Sequence, residues 1–338
     1  MQCCAACFGD RDLAKRIIPR LSTGVGTCSY CQTENVELVE PIKLRDYFEL
    51  LISIYEPSPE GKLLVEWFKS DWQMFDHPRM DVPGAKSLLA DVLNDGEIVR
   101  QLFSPSAKYQ SDALGRWEQL RDELMYKNRY FPSSQMDMDR LGELLSHLPA
   151  TDLPTTWYRA RIQIGDAPFS IDEMKAPPNR LASHGRANPP GIPYLYLGST
   201  PNTAVSEIRP HTGERACVAT FTIPGDLKAV DLQAPRKLVS PFLLEDENKV
   251  GLMRVDIAFL ERLGEELTRP ILPSGAAIDY VPSQYLCEFI KRSGYSGVIY
   301  RSSVSDGKNL ALFDPGLATG TSVAQYRVER VTVDVVGA

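Results

Sequence analysis

The chain has 338 residues, 43% hydrophobic and 24% charged, with a formal net charge of −7 and a pI near 5.3. That content supports packed cores in two domains, or in one large domain with an appendage. No apolar run approaches the roughly 18 residues of a membrane span, and MQCCAACFGDRD lacks the basic-then-apolar order of a secretory signal, so a cytoplasmic protein without membrane contact is expected. The acidic balance argues against a general nucleic-acid binder, which needs clustered Lys and Arg. Arg11, Lys15, Arg16 and Arg20 read instead as one solvated helix face.

The first element is a pair of cysteine knuckles, Cys4-Ala-Ala-Cys7 and Cys28-Ser-Tyr-Cys31. Two residues between cysteines let both thiolates reach one ion, and two such knuckles complete a tetrahedral site, so structural zinc is expected. Free buried thiols suit so polar a segment poorly, and disulfides conflict with a reducing cytoplasm. Cys3 is a spare thiol that leaves the register open. A closed four-ligand site stabilises and does not catalyse.

From PIKLRDYFELLISIYE onward the pattern turns helical, with Leu44, Phe48, Leu51 and Tyr55 on one apolar stripe and Pro57, Pro59 and Gly61 as punctuation. Further helices are expected at about 62–75, 85–94, 113–127 and 136–147, with SPSAKY and FPSSQ as turns. Residues 1–40 thus read as a zinc-binding module and 41–150 as a helical domain. The spacing of Arg140 and His147 resembles the Arg/His pair of HEPN-class ribonucleases, although Leu141 stands where a polar residue is usual. The other reading is an amphipathic helix with Leu141, Leu144, Leu145 and Leu148 packed inward.

After PATDLPTT the texture changes to strands alternating with helices, an α+β domain from about residue 151 to the end. Strand character marks WYRARIQI, PYLYLG, ACVATFTI, GVIYRS, NLALFD and YRVERVTVDVV. STPNTAVSEI reads as a helix capped by Ser199 or Thr200 with Pro201 in its first turn. PSQYLCEFIKRSG is a second helix, closed by Gly294. Arg186 falls on the constrained loop GRANPPG, the kind of connector where ligand contacts gather. Alternation sets Tyr194 and Tyr196 against Leu195 and Leu197. Glu207 lies at the border of the apolar face of its helix.

GRANPPGIPYLYLGSTPNTAVSEIRP places Arg186, Tyr196 and Glu207 at intervals of ten and eleven positions, and YVPSQYLCEFIKRSGYSGVIYRSS is followed by GKNLALFDP. These two blocks resemble the RES domain, named for its Arg, Glu and Ser. The second block puts the family serine at Ser302, with Ser303 as the weaker registration, and WYRAR resembles the opening strand, adding Arg159 to the cleft. Ala187 stands where an aromatic is common, and Arg301 where Pro often precedes the serine. The preceding region is similar to the zinc-binding, HEPN-like segment found before some RES domains.

The resemblance implies a fold like that of ADP-ribosyltransferases and NAD as substrate, cleaved by hydrolysis or phosphorolysis, or used to modify a protein. It also implies an antitoxin partner with a helix-turn-helix domain; homo-oligomerisation is left open. Breaking the nicotinamide–ribose bond builds oxocarbenium character that a fixed carboxylate stabilises, which is the role of Glu207. Arg186 offers a planar fork to a pyrophosphate or ribose oxygen. Tyr196 would stack on nicotinamide and donate its hydroxyl. Ser302 would hold a ribose or phosphate oxygen, while His184 reads as an ordinary loop histidine. A rival of another class is an RNA-binding or regulatory protein with a degenerate enzyme domain.

Overall fold

The computed structural model describes residues 1–272 and 274–332. Two compact units are built from interleaved parts of the chain: Met1–Leu114 with Ala234–Leu260, and Gly115–Gln233 with Glu261 onward. No helix among the described residues is long and apolar enough to cross a membrane.

In the first unit the first cysteine knuckle precedes a short antiparallel pair, β1 (Gly24–Gly26) and β2 (Val36–Leu38), and the second lies in the connection between its strands. The expected stripe is buried at Leu44, Phe48, Leu51 and Tyr55, but the helix carrying it, Arg45–Ile52, stops before Tyr55. Tyr55 instead opens β3 (Tyr55–Leu63), which pairs with β4 (Leu102–Pro105) across an irregular register between Pro57 and Lys62. The segment 41–150, expected as a helical domain, thus also carries a two-stranded ladder. A short two-stranded ladder with a bulge tolerates proline where a central strand would not. Helices Leu64–Trp72 and Val82–Leu93 follow, the latter capped by the Asp81 side chain, which accepts from the Gly84 amide. Phe48 sits at the core's centre, its ring 5.4 Å from Phe8 and 5.1 Å from Phe242.

The second unit takes in the helix Met138–Ser146, whose Leu141, Leu144 and Leu145 are buried together with Leu148. This is the amphipathic reading of that segment. Its main feature among the described residues is a seven-stranded sheet in the order β11-β7-β5-β6-β10-β9-β8. The strands are β5 (Thr156–Ile162), β6 (Leu195–Gly198), β7 (Arg215–Thr222), β8 (Ala229–Asp231), β9 (Gly297–Arg301), β10 (Lys308–Leu312) and β11 (Thr319–Arg327). All neighbours are antiparallel except β8 and β9. The last strand begins and ends earlier than the segment expected at 326–336, whose final residues lie outside the described residues.

Strand alternation sorts the sheet into two faces. Trp157, Leu195, Leu197, Phe221, Leu310 and Leu312 share one apolar cluster. Ala160 and Val218 pack against Ala204 of the helix Pro201–Glu207 on the other. β5 and β6 share a single register pair, Tyr158 with Gly198, so the sheet parts where they diverge.

Candidate active site

A cavity of about 490 Å³ opens at this divergence, a size suited to a small organic ligand. β5 supplies Arg159, the loop before β6 supplies Arg186, β6 supplies Tyr196, the adjoining helix supplies Glu207, and β10 supplies Asn309.

Glu207 reaches its place because its helix starts where the sequence indicates. Thr200 caps it, accepting from the Thr203 amide at 3.0 Å, and Pro201 occupies the first turn. The turn joining β9 to β10 then lies hard against that helix. A Cβ on Gly307 would stand 1.9 Å from Thr203 Oγ1, so only glycine allows the approach. The same turn brings Ser302 and Asn309 to one oxygen of Glu207: Ser302 Oγ donates to Oε1 at 2.7 Å and Asn309 Nδ2 donates to it at 2.6 Å. Ser302 is buried against Glu207, while Ser303 lines the cavity wall.

Arg186 is held on several sides. Its Nη1 donates to the Arg269 carbonyl at 2.8 Å, and its guanidinium lies 5.3 Å from the centre of the Tyr280 ring. Its own carbonyl accepts from Ser283 Oγ at 2.6 Å, and the Gly185 carbonyl accepts from Gln284 Nε2 at 2.8 Å. Both donors sit in the first turns of the helix Val281–Arg292, which ends just before Gly294 as its sequence indicates.

Tyr196 has work of its own within the protein. Its hydroxyl accepts from the Ala187 amide at 2.9 Å and the Asn188 amide at 3.2 Å, and donates to Asn188 Oδ1 at 2.7 Å. The phenol therefore fastens the Arg186 loop to the sheet. Gly185 makes room for it, since a Cβ there would meet Tyr196 Oη at 2.6 Å. Burial pushes the Tyr196 phenol well above its usual range, as it does that of Tyr300 at the cavity floor. A donor already given to Asn188 is not free for nicotinamide.

Arg159 sits against the Tyr196 carbonyl, 3.5 Å from its Nη1, where the parted strands leave that carbonyl without a ladder partner. Its Nε has no hydrogen-bond partner, and burial, helped by neighbouring Arg161, pulls the guanidinium down to about 10. A cation in this state favours an anionic guest. His184 also lines the cavity, its ring 6.4 Å from that of Tyr280. Asn309, Asn188 and Tyr280 escaped the sequence reading. An asparagine inside NLALF, a run otherwise suited to a buried strand, was the one signal available.

In the first unit, Cys4, Cys7, Cys28 and Cys31 are buried with their sulfurs all within 4.8 Å of one another. Cys4 and Cys31 approach to 3.5 Å, Cys7 and Cys28 to 3.3 Å. Tetrahedral thiolate ligands about 2.3 Å from an ion stand about 3.8 Å apart, so this set could hold a metal. Cys3 stays outside it, its sulfur 3.6 Å from the Val39 carbonyl, and burial pushes its thiol up to about 12. The Arg140 guanidinium is engaged by Glu143 at 2.8 Å, and His147 closes the same helix.

No curated protein matches the chain. Among solved structures, the crystal structure of the M. tuberculosis MbcT–MbcA toxin–antitoxin complex aligns with 55% of this chain and 92% of its own at 16% identity, with a TM-score of 0.31. The RES domain family model matches residues 156–334, more than half of the chain and all of the cavity residues named above. The chain belongs to the RES domain family.

Proposed function

We propose that the cavity binds NAD and that the protein breaks its nicotinamide–ribose bond, depleting the cytoplasmic pool as a toxin would. The observation that carries this reading is Glu207, one oxygen of which is held by two donors in a cavity that also holds Arg159 and Arg186. The two arginines suit the two negative charges of a pyrophosphate. With the dinucleotide anchored there, C1′ of the nicotinamide ribose faces the carboxylate. The C1′–N bond breaks with its electron pair leaving on nicotinamide, which becomes neutral. Positive charge on C1′ and the ring oxygen is met by Glu207. Water or phosphate then adds through oxygen at C1′ and releases a proton.

The fold we infer is ADP-ribosyltransferase-like, and the parting of β5 from β6 supports it. Tyr196 acts here by holding the Arg186 loop, and Ser302 by holding Glu207. We assign zinc, in a purely structural role, to Cys4, Cys7, Cys28 and Cys31. A protein antitoxin with a helix-turn-helix domain is the partner suggested by family membership. We give Arg140 and His147 no part in chemistry, because Glu143 neutralises the guanidinium.

The deciding experiment incubates the purified full chain with NAD, with and without phosphate, and separates the products. Nicotinamide with free ADP-ribose or its 1″-phosphate is expected. Label appearing on protein would assign mono-ADP-ribosyl transfer instead, and NAD bound without nicotinamide release would leave a binding module.

A further inference from the structure

We propose that Asn309 is a positioning residue for Glu207, completing with Ser302 a two-donor clamp that fixes Oε1 and leaves Oε2 as the working oxygen. The inference rests on the reading of Glu207 as the charge-stabilising carboxylate.

Asn309 lies on β10, between β6 and β9, with its backbone in register with Gly198 on one side and Tyr300 on the other. Its position is therefore set by strands on both edges. Leu310 and Leu312 belong to the apolar cluster, so alternation turns Asn309 to the cavity face. Asparagine is disfavoured in strand interiors, and a buried amide without partners is destabilising. This one is only 4% exposed, and its Nδ2 donates to Glu207 Oε1 at 2.6 Å.

The second donor has its direction fixed too. The Val304 amide donates to Ser302 Oγ at 3.2 Å, which turns the hydroxyl hydrogen toward Glu207 Oε1, 2.7 Å away. The hydroxyl hydrogen is thereby committed to the carboxylate. Among the described residues, no protein donor is found on Oε2. Two donors on one oxygen stop the carboxylate from swinging, and the electrostatic benefit to a cation at C1′ depends steeply on that distance.

The test compares full-length wild type with Asn309→Ala, Asn309→Asp, Glu207→Gln and the Asn309→Ala/Glu207→Gln double variant. Single-turnover nicotinamide release and directly measured NAD affinity are the solution readouts, and crystals of wild type and Asn309→Ala give the third. Asn309→Ala should slow release about 10–100-fold while NAD affinity stays within about twofold. In the Glu207→Gln background the same change should cost almost nothing further, because the clamp acts only through that carboxylate. Equal losses in both backgrounds, or a loss of affinity in place of rate, would overturn the proposal. Should Asn309→Ala fail to fold, Asn309→Asp preserves the shape, removes the donor and sets a second carboxylate beside Oε1. It should be at least as slow as expected for Asn309→Ala, and wild-type release from it would be equally damaging. Crystals of whichever variant folds should show the Glu207 carboxylate displaced from its wild-type place, and an unmoved side chain sinks the clamp. That readout needs no turnover. A wild-type protein that releases no nicotinamide would instead remove NAD as substrate and leave the clamp to be judged by the crystals.

Discussion

On the proposed reading Glu207 and Arg186 meet different charges and should therefore fail differently. The charge opposite Glu207 exists only as the glycosidic bond breaks, so Glu207→Gln should lower kcat strongly with NAD affinity almost unchanged. Arg186 meets charge already on the substrate, and Arg186→Ala should weaken NAD binding by about 1.5–3 kcal/mol. Arg186→Lys should not fully rescue, since a compact ammonium cannot reproduce both the hydrogen bond to the Arg269 carbonyl and the guanidinium's place over the Tyr280 ring. Single-turnover rates beside direct dissociation constants will separate these cases, and a Glu207→Gln protein with wild-type release would remove the residue from the mechanism. Arg159 is a different case, a cation held at low solvation with no ion-pair partner among the described residues. Arg159→Met should raise the melting temperature of the ligand-free protein while reducing NAD affinity about tenfold or more. A variant with lower melting temperature and unaltered affinity would mark Arg159 as a structural residue. The sequence pattern named Arg159, Arg186, Tyr196, Glu207 and Ser302, and these residues converge on one region. It did not separate those that face the cavity from those that hold their neighbours. The Tyr196 hydroxyl was expected to reach a ligand because alternation reveals a face but not a partner, and here it donates to Asn188.

Among elements, the Pro201–Glu207 helix was legible because a cap, a proline and a short apolar face all lie within ten residues. β3 was not, since Pro57, Pro59 and Gly61 look like punctuation until the bulge in β3 itself, opposite Phe103, accommodates them. The long helix Glu247–Thr268 was not read either, and the cause is its buried charge. Asp256 is 2% exposed, with Ser111 donating to it, and Glu266 is fully buried among Arg121, Arg262 and Arg269. Acids inside a helix blur the stripe that signals one. The contact between the β9–β10 turn and the Pro201–Glu207 helix yields a sharp expectation. Gly307→Ala forces a methyl onto Thr203, itself buried, and should destabilise the protein by about 1–3 kcal/mol. It should also lower kcat, because Ser302 is tied to the Gly307 carbonyl by its own amide at 3.0 Å. Thermal melts and turnover measured together check this, and a stable Gly307→Ala protein with wild-type turnover would refute the packing account.

For the whole molecule, the knuckles and the sheet-bearing second unit should be separable in their metal dependence. Protein purified without added metal should contain one zinc per chain by elemental analysis, and Cys28→Ser should destabilise the first unit far more than the second. A metal-free, fully folded preparation would exclude the assignment. Where the chain is cut should matter as well. Arg121, on the helix Ala113–Tyr126, pairs with Glu266 at 3.0 Å, and Glu118 of the same helix pairs with Arg262 at 2.5 Å. A fragment beginning at residue 151 leaves Glu266 with one ion-pair partner fewer and Arg262 without Glu118. It should be less stable than a fragment beginning at residue 115, by about 3 kcal/mol or more for a buried carboxylate stripped of a partner. Comparable denaturation midpoints would show the helix to be dispensable.

The order of strands in the sheet also sets a timetable. β6 carries Tyr196 but finds β10 only after more than a hundred residues of chain have followed it, and Glu207 waits for donors 95 and 102 positions downstream. A ribosome adding about 5–20 residues each second needs roughly 5–20 s to bridge that gap. Throughout that interval the emerging polypeptide has its carboxylate unanchored and its central ladder open. On the proposed reading, NAD cleavage can therefore begin only after the last strands have left the exit tunnel.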